Sequence, residues 1–462
     1  MTLEEEIAQL RAENAELRLL VAQLQEQQAR ALARIAELEQ QRRDPPSFVK
    51  PNRPKPSQPK PPRKKRARQH NRARPREVPT RIVEHALDRC PDCHYRLRGQ
   101  SLDYSRQVLE LPPPPPIEVI EHRVLKRFCP KCTRWRSPKL DLRGQVLGRS
   151  RIGVRLASVL AYLRTTLRLP IAALQQYLAS LHHLQLSAGG LQEILHDVRQ
   201  AVAPALDAIK QQARHARIVH GDETSWRENG QTGYVWSFST PGEDAVRYYE
   251  YDPSRAQAVV KRFVNGEFSG HLVSDFYCGY NDYAGKHQRC WAHLLRDLHT
   301  LKQAHPSEGA VQPWAQAVRA CYDTAQTWLC ANAQAPPAER EAQYVRLTSQ
   351  THALALQYTR SKAHPCQALA KRLLRHEDEL FQFVLVDGLS ADNNLAERAI
   401  RPLVVIRKVS GGSRSAAGTQ TRLALASLFH TWQARGQHPL DACLELLSQS
   451  ASSSAESLLP QL

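Results

Sequence analysis

The stretch RIVHGDETSW, residues 217–226, decides how the chain is read. A short β-type run, Ile218 to His220, gives way at Gly221 to the acid pair Asp222-Glu223. An acid in that place is either a turn residue or a carboxylate set at a strand end to hold a metal. Which it is depends on whether partner acids recur where a metal site needs them.

The following residues read as strands. TGYVWSFST (232–240) and AVRYYEYD (245–252) are β-type runs, punctuated by Gly230 and Pro241-Gly242. SRAQAVVKRFVNG (254–266) predicts a helix capped by Ser254 and stopped by Gly266. GHLVSDFY (270–277) is a fourth strand, and QRCWAH (288–293) opens a fifth that gives way to a helix. This βββαβ order is that of an RNase H-like α/β domain, in which the first and fourth strands are neighbours. Asp222 and Asp275 close those two strands and so converge at one end of the sheet. A third acid is expected on a later helix that packs across that end. NNLAERAIRP (393–402) offers Glu397, one turn into a helix that Ser390 or Asp392 can cap and Pro402 limits. Three carboxylates so placed can hold two divalent cations, one activating water or a 3′-hydroxyl, the other stabilising a leaving oxygen at phosphorus. Hard oxygen ligands select Mg²⁺ or Mn²⁺. Asp282, Asp392 and Glu223 compete for places in the set, and beside Asp222 we assign Glu223 and Thr224 to shaping the turn.

Cys90, Cys93, Cys129 and Cys132 form two CxxC knuckles, CPDC and CPKC, 35 residues apart. Four thiolates complete a closed tetrahedral site, so a structural Zn²⁺ is expected, with a redox pair as the alternative. His94 is a bystander. The intervening LDYSRQVLELPP (102–113) and IEVIEHRVLKRF (117–128) look strand-like, which suits a zinc ribbon. The other six cysteines (Cys278, Cys290, Cys321, Cys330, Cys366, Cys443) read as buried small hydrophobes of a reducing compartment.

Around these units the chain divides by composition. Residues 1–43 carry a heptad with Leu3, Leu10, Leu17, Leu24, Ala31 and Leu38 at d and Ile7, Asn14, Val21, Gln28 and Ile35 at a, which predicts a coiled coil that pairs two chains. Residues 44–81 are a Pro- and Arg/Lys-rich linker, with Lys64, Lys65, Arg66 and Arg68 at its densest point. That segment is either suited to sequence-independent phosphate contact or a solvated tether. The zinc-binding unit spans 82–145. Residues 146–215 are helical, with a helix-turn-helix-like rhythm shared by ordinary bundles. There Ser187 caps a single long third helix, SAGGLQEILHDVRQAVAPALDAIKQQ (187–212). The catalytic core's first part spans 216–299. An all-helical insertion, broken near Pro306, Pro336-Pro337 and Pro365, fills 300–388. The core's last part spans 389–435, and a C-terminal helix and tail fill 436–462. The fold class is therefore multidomain α+β. With 462 residues, 42% hydrophobic, and a formal charge of +19, the chain is globular and suited to a polyanion, nucleic acid before an acidic membrane. No window reaches 18 uninterrupted apolar residues, and MTLEEEIAQL lacks the marks of a signal peptide, so a cytoplasmic location is expected.

DET at 222, SDFYCGY at 274, RCWAHLLRDL at 289 and DNNLAERAIRPLVVIRK at 392 closely resemble transposases of the insertion-sequence 66 family, and the likeness covers nearly the whole chain. The resemblance implies that Asp222, Asp275 and Glu397 are a DDE catalytic triad. It implies phosphate contact for Arg398, Arg401, Arg407 and Lys408. It also implies a DNA transposase that holds element ends and target DNA, acts as a homodimer or larger assembly with helper proteins of its element, and works at the bacterial nucleoid. One departure is Asp275-Phe276-Tyr277 where the family has Asp-Gly-Tyr, and the extra side chain is expected to narrow the site. Trp291 and His293 match the family's CWAH, either as packing or as substrate contact. The alternatives are an RNase H-like nuclease or resolvase without joining activity, or a non-catalytic DNA-binding protein derived from a transposase.

Overall fold

A computed structural model describes residues 18, 21–30, 32–33, 77–147, 150–264 and 268–449. The chain forms two compact units, Met1–Leu111 and Pro112–Leu462. In the first, residues 21–30 and 32–33 are helical, and heptad positions Val21 and Leu24 are exposed. Gln28, another heptad position, is exposed as well; the remaining heptad positions, and Lys64, Lys65, Arg66 and Arg68, lie outside the described residues. From 77 to 111 the backbone has no regular element beyond one antiparallel bridge, Arg89 to Arg96.

The strands expected at 102–113 and 117–126 are not there. Nothing packs on their alternating apolar side chains (Val119 is 89% exposed), and five successive prolines from Pro112 remove the donors a ladder needs. Only β1 (Arg127–Cys129) and β2 (Arg134–Arg136) pair, antiparallel, around the second knuckle.

Four helices open the body of the second unit: α1 (Val154–Thr165), α2 (Ile171–His182), α3 (Ala188–Ala201) and α4 (Ala203–His215). Ser187 caps α3 as expected, its hydroxyl accepting the Gly190 N–H at 3.0 Å. The single long helix expected there is two, because Pro204 has no N–H to carry the ladder across Val202 and instead starts α4. The helices share one core with the sheet, in which Leu160, Leu174, Leu191 and Ile209 meet Val219, Trp236 and Phe238.

The sheet comprises β3 (Ile218–Glu228), β4 (Gln231–Ser239), β5 (Arg247–Asp252), β6 (His271–Ser274) and β7 (His287–Arg289), in the order β5-β4-β3-β6-β7. β3, β4 and β5 are antiparallel, whereas β6 lies parallel to β3 and β7 parallel to β6. Asn229 and Gly230, both at positive φ, make the two-residue turn that β3 and β4 require. Between β5 and β6 runs α5 (Ala258–Val264), shorter than the helix expected from Ser254, and Gly266 lies outside the described residues.

Strand alternation gives the sheet two buried faces. Trp236, Phe238 and Tyr248 face α1–α4, and Trp226, Val235 and Tyr249 face the later helices α11 (Asn394–Ser410) and α12 (Ala416–Ala434). The helical block of α6 (Trp291–Ala304), α7 (Val311–Ala331), α8 (Pro337–Thr359), α9 (Gln367–Arg375) and α10 (Gln382–Leu385) has its own core, which includes Ile218 and Val273 of the sheet. Its breaks fall where the prolines indicated. Pro402 does not end α11. The helix runs through it to Ser410 and stops at Gly411, which is left-handed. The last helix is α13 (Pro439–Gln449).

β5 is an edge strand, and α12 covers it. Thr431 Oγ1 accepts the Arg247 N–H at 2.9 Å, and Ser427 Oγ accepts the Tyr249 N–H at 3.0 Å. The Tyr249 hydroxyl gives its one proton to the Ala399 carbonyl, so the neighbouring His430 Nδ1 must donate to the phenol oxygen. Among the described residues no helix is long and apolar enough to cross a membrane.

Burial, reinforced by the charges of Arg168 and Arg247, pushes the pKa of His430 down to about 4, and burial also holds His287 well below its usual value. A depressed histidine pKa means that the unfolded chain binds the proton first, so stability is full above pH ~6.5 and falls as pH drops toward 4. We expect His430 alone to remove ~3 kcal/mol over that window, read by urea denaturation at stepped pH, with His430→Gln flattening the slope.

Candidate active site

Parallel pairing fixes the position of the two aspartates. Ile218 pairs with His271, Val219 with Leu272 and His220 with Val273. Carried two residues on, the same offset sets Asp222 beside Asp275, just past the last rung. β3 does not end at Gly221. Beyond the reach of β6 it continues to Glu228 on β4, with Asp222 opposite Ser237 and Glu223 opposite Trp236. The acid pair therefore lies inside a strand, and the turn read at Gly221 is corrected.

That strand conformation sends Asp222 and Glu223 to opposite faces. On the Glu223 face, its carboxylate takes the Tyr280 hydroxyl at 2.6 Å and Arg255 Nε at 2.9 Å, and Arg255 stacks on the Tyr277 ring. Gly221 makes room for this, since a Cβ there would stand 2.9 Å from Tyr280 Cε1. Glu223 is thus an anchored carboxylate, a role its place beside a glycine concealed.

On the Asp222 face lies α11. Asn393, buried just before that helix, donates Nδ2–H to the Gly221 carbonyl at 2.7 Å, receives His220 Nδ1 at 3.3 Å, and gives its own N–H to Cys290 Sγ. This staple sets the first turn of α11, which carries Glu397, against β3 beside Asp222. Glu397 Oε1 is buried without a hydrogen-bond partner, and so is His293 Nδ1, while His293 Nε2 stands 3.7 Å from that oxygen. Burial, then the charges of Glu223, Asp275 and Glu397, push the Asp222 carboxyl well above the usual carboxylate range. Hard oxygens, an orphaned carboxylate oxygen and this mutual repulsion suit a divalent cation. Among the described residues, however, no three His, Cys, Asp or Glu side chains already close around an ion.

Asp275 Oδ1 accepts the Tyr277 N–H at 2.9 Å, and its carbonyl receives Arg289 Nη1 at 2.9 Å. The Phe276 ring is taken up by the helical block, against His376 and the Arg372 guanidinium. Asp282 pairs with Lys261, and Asp392 accepts the N–H of Asn394, so both have other duties. Arg398, Arg401 and Lys408 are exposed on α11. Arg407 lies against β3, its Nη1 donating to Thr224 Oγ1 at 3.0 Å. Trp291 is buried in the helical block's core.

The knuckles sit in different units, Cys90 and Cys93 in the first, Cys129 and Cys132 in the second. Each is a tight turn whose following residue, His94 or Thr133, is left-handed. The amides of Cys93 and Asp92 lower the Cys90 thiol, and that of Cys132 lowers Cys129. Of the other cysteines, Cys290, Cys321, Cys366 and Cys443 are buried as expected, whereas Cys278 and Cys330 are exposed because one lies in a surface loop and the other near the end of α7.

Sequence comparison falls on this same region and points to a transposase. The model of the family described as "Transposase IS66 family" matches residues 149–421, more than half of the chain, and the chain belongs to that family. It is also similar to "Uncharacterized protein y4qI" of Sinorhizobium fredii (strain NBRC 101917 / NGR234), 25% identical over 284 residues. That match covers 55% of this chain and 52% of the relative, so the chain spans about half the length of the curated relative it matches.

Gly221→Ala drives a methyl group into a ring that is fully buried and bonded to Glu223. We expect a loss of ~1–3 kcal/mol in urea unfolding, and recovery in the double variant Gly221→Ala, Tyr280→Leu would identify the clash as its cause.

Proposed function

We propose that the chain is a DDE-type DNA transposase with an RNase H-like core, which cuts at the ends of its mobile element and joins them to target DNA. The register that sets Asp222 beside Asp275, with Glu397 on the helix across them, is the observation that supports it most. Asp222, Asp275 and Glu397 would hold Mg²⁺ or Mn²⁺, which when bound supplies activation of water or a 3′-hydroxyl and charge for the leaving oxygen. The chain's own part is to hold the acids in place. Asn393 fixes α11 to β3 at Gly221, Arg289 fixes the Asp275 backbone, and Tyr280 and Arg255 occupy Glu223 so that it does not compete for the cation. Exposed Arg398, next to Glu397, and Arg401 and Lys408, about one and three turns further along the helix, suit DNA phosphates. The basic linker, the net charge of +19 and the Ser187-capped α3 suit duplex binding beyond the site. In this reading the N-terminal heptad pairs subunits so that two element ends are held together, with or without helper proteins of the element, and the protein acts on nucleoid DNA in the cytoplasm.

A strand-transfer assay with Mg²⁺ on duplexes carrying the element's ends tests the reading. Joined product is expected, abolished by EDTA and by Asp275→Ala at least ~100-fold. Cleavage without joining would indicate a nuclease or resolvase, and DNA binding alone a non-catalytic derivative. Joining that survives Asp275→Ala overturns the triad.

The two knuckles are proposed to share one structural Zn²⁺ through Cys90, Cys93, Cys129 and Cys132. Native mass spectrometry should find one zinc per chain, lost in Cys90→Ser and in Cys129→Ser alike.

A further inference from the structure

The side chain of Arg289 is wholly buried, and its bond to the Asp275 backbone is one of several it makes. It ends β7, directly beside Ser274 in the parallel ladder and so one residue short of the level of Asp275. Its guanidinium has three close partners, besides a longer contact from Nη1 to Ser274 Oγ at 3.5 Å. Nη1 donates to the Asp275 carbonyl at 2.9 Å, Nη2 to Asn281 Oδ1 at 2.7 Å, and Nε to Glu379 Oε2 at 2.6 Å. The first two belong to the loop that carries the second acid, and the third to the helical block. The same stretch of the block is gripped by the neighbouring residue, since Gln288 takes the Phe383 N–H and donates to the Leu380 carbonyl. On the other side of Asp275, Phe276 packs on His376, whose ring also bonds Glu379.

We propose that Arg289 and Glu379 are positioning residues through which the helical block sets Asp275 for metal binding. A buried guanidinium needs a compensating anion. Glu379 is the carboxylate it bonds, and Asp275, whose backbone carbonyl it already holds, carries the other that could serve. Because Glu379 supplies the charge, Arg289 approaches Asp275 through the backbone carbonyl and leaves that carboxylate to the cation. Without Glu379, the uncompensated guanidinium would draw the Asp275 carboxylate itself, in direct competition with the metal. The helical block is then part of the catalytic apparatus, although none of its own residues is assigned there.

This inference rests on the reading of Asp275 as a metal ligand, so the test measures Mn²⁺ binding to the full-length protein without DNA or turnover. Electron paramagnetic resonance gives the free Mn²⁺ for wild type, Asp275→Asn, Glu379→Gln and Arg340→Lys. Arg340 is the control, a buried arginine of the same block that donates to the Val384 and Ala333 carbonyls, away from the acids. Glu379→Gln is expected to weaken Mn²⁺ binding about tenfold or more, the range of metal-supporting residues that are not ligands, while Arg340→Lys leaves it unchanged. Equal weakening in Arg340→Lys would mean general loosening of the block and overturn the proposal, as would Glu379→Gln binding like wild type. If Asp275→Asn binds like wild type, the ligand assignment falls first, and the inference with it. Should Glu379→Gln fail to fold, Arg289→Lys answers the same question. It keeps the charge but not the fork, so the same tenfold loss is expected, and unchanged affinity overturns the proposal.

Discussion

Three rungs of parallel pairing between β3 and β6 hold the site together. They bring residues far apart in the chain to one level of the sheet, and no local interaction could do so. The pairing is secured from both sides, with Val219 in the core under α1–α4 and Ile218 and Val273 in that of the helical block. A slip of one residue would shift Asp275 by ~3.3 Å and turn it to the opposite face, leaving Asp222 without its neighbour. The helices on either side therefore do more than bury surface, because they fix a register on which two carboxylates depend.

Holding acids together in this way opposes folding. Asp222 is buried among carboxylates that raise its pKa, and the orphaned oxygen of Glu397 adds to the imbalance. The neighbouring acids have defined partners: Glu223 has Arg255 and Tyr280, Asp282 has Lys261, and Glu379 has Arg289. The imbalance therefore stays with Asp222 and the orphaned oxygen of Glu397.

Much of this was legible in the sequence. The β-type runs after Arg217, the helix between the third and fourth, and the proline breaks of the helical block all appear in the structure, because alternation, glycine and proline act locally. Errors arose where tertiary context overrides local chemistry. Gly221 looked like a turn, but its missing side chain admits Tyr280 and the strand runs on. Pro402 looked like a stop, but α11 is held by Leu403 and Ile406 in the core and tolerates one lost bond. Alternating apolar residues at 102–126 suggested strands, yet no partner face buries them. Asn393 and Arg289 stood in the motifs that carried the family resemblance, but their tasks depend on partners up to 173 residues away, which spacing alone does not reveal.

The covering of β5 has a consequence for how copies of this protein can associate. A bare edge strand is a template on which a second chain can add. Here hydroxyls of Ser427 and Thr431, one helical turn apart, match the two-residue repeat of the strand and occupy its outward donors at Arg247 and Tyr249. At β7 it is the Gln288 side chain, rather than the backbone edge, that bonds the Leu380 carbonyl and the Phe383 N–H. The β5 edge is thus occupied at Arg247 and Tyr249 by side chains of its own fold, which disfavours pairing with a neighbour's strand there. Two copies brought side by side would then meet through surfaces other than this edge, which keeps β5 from seeding a continuous sheet.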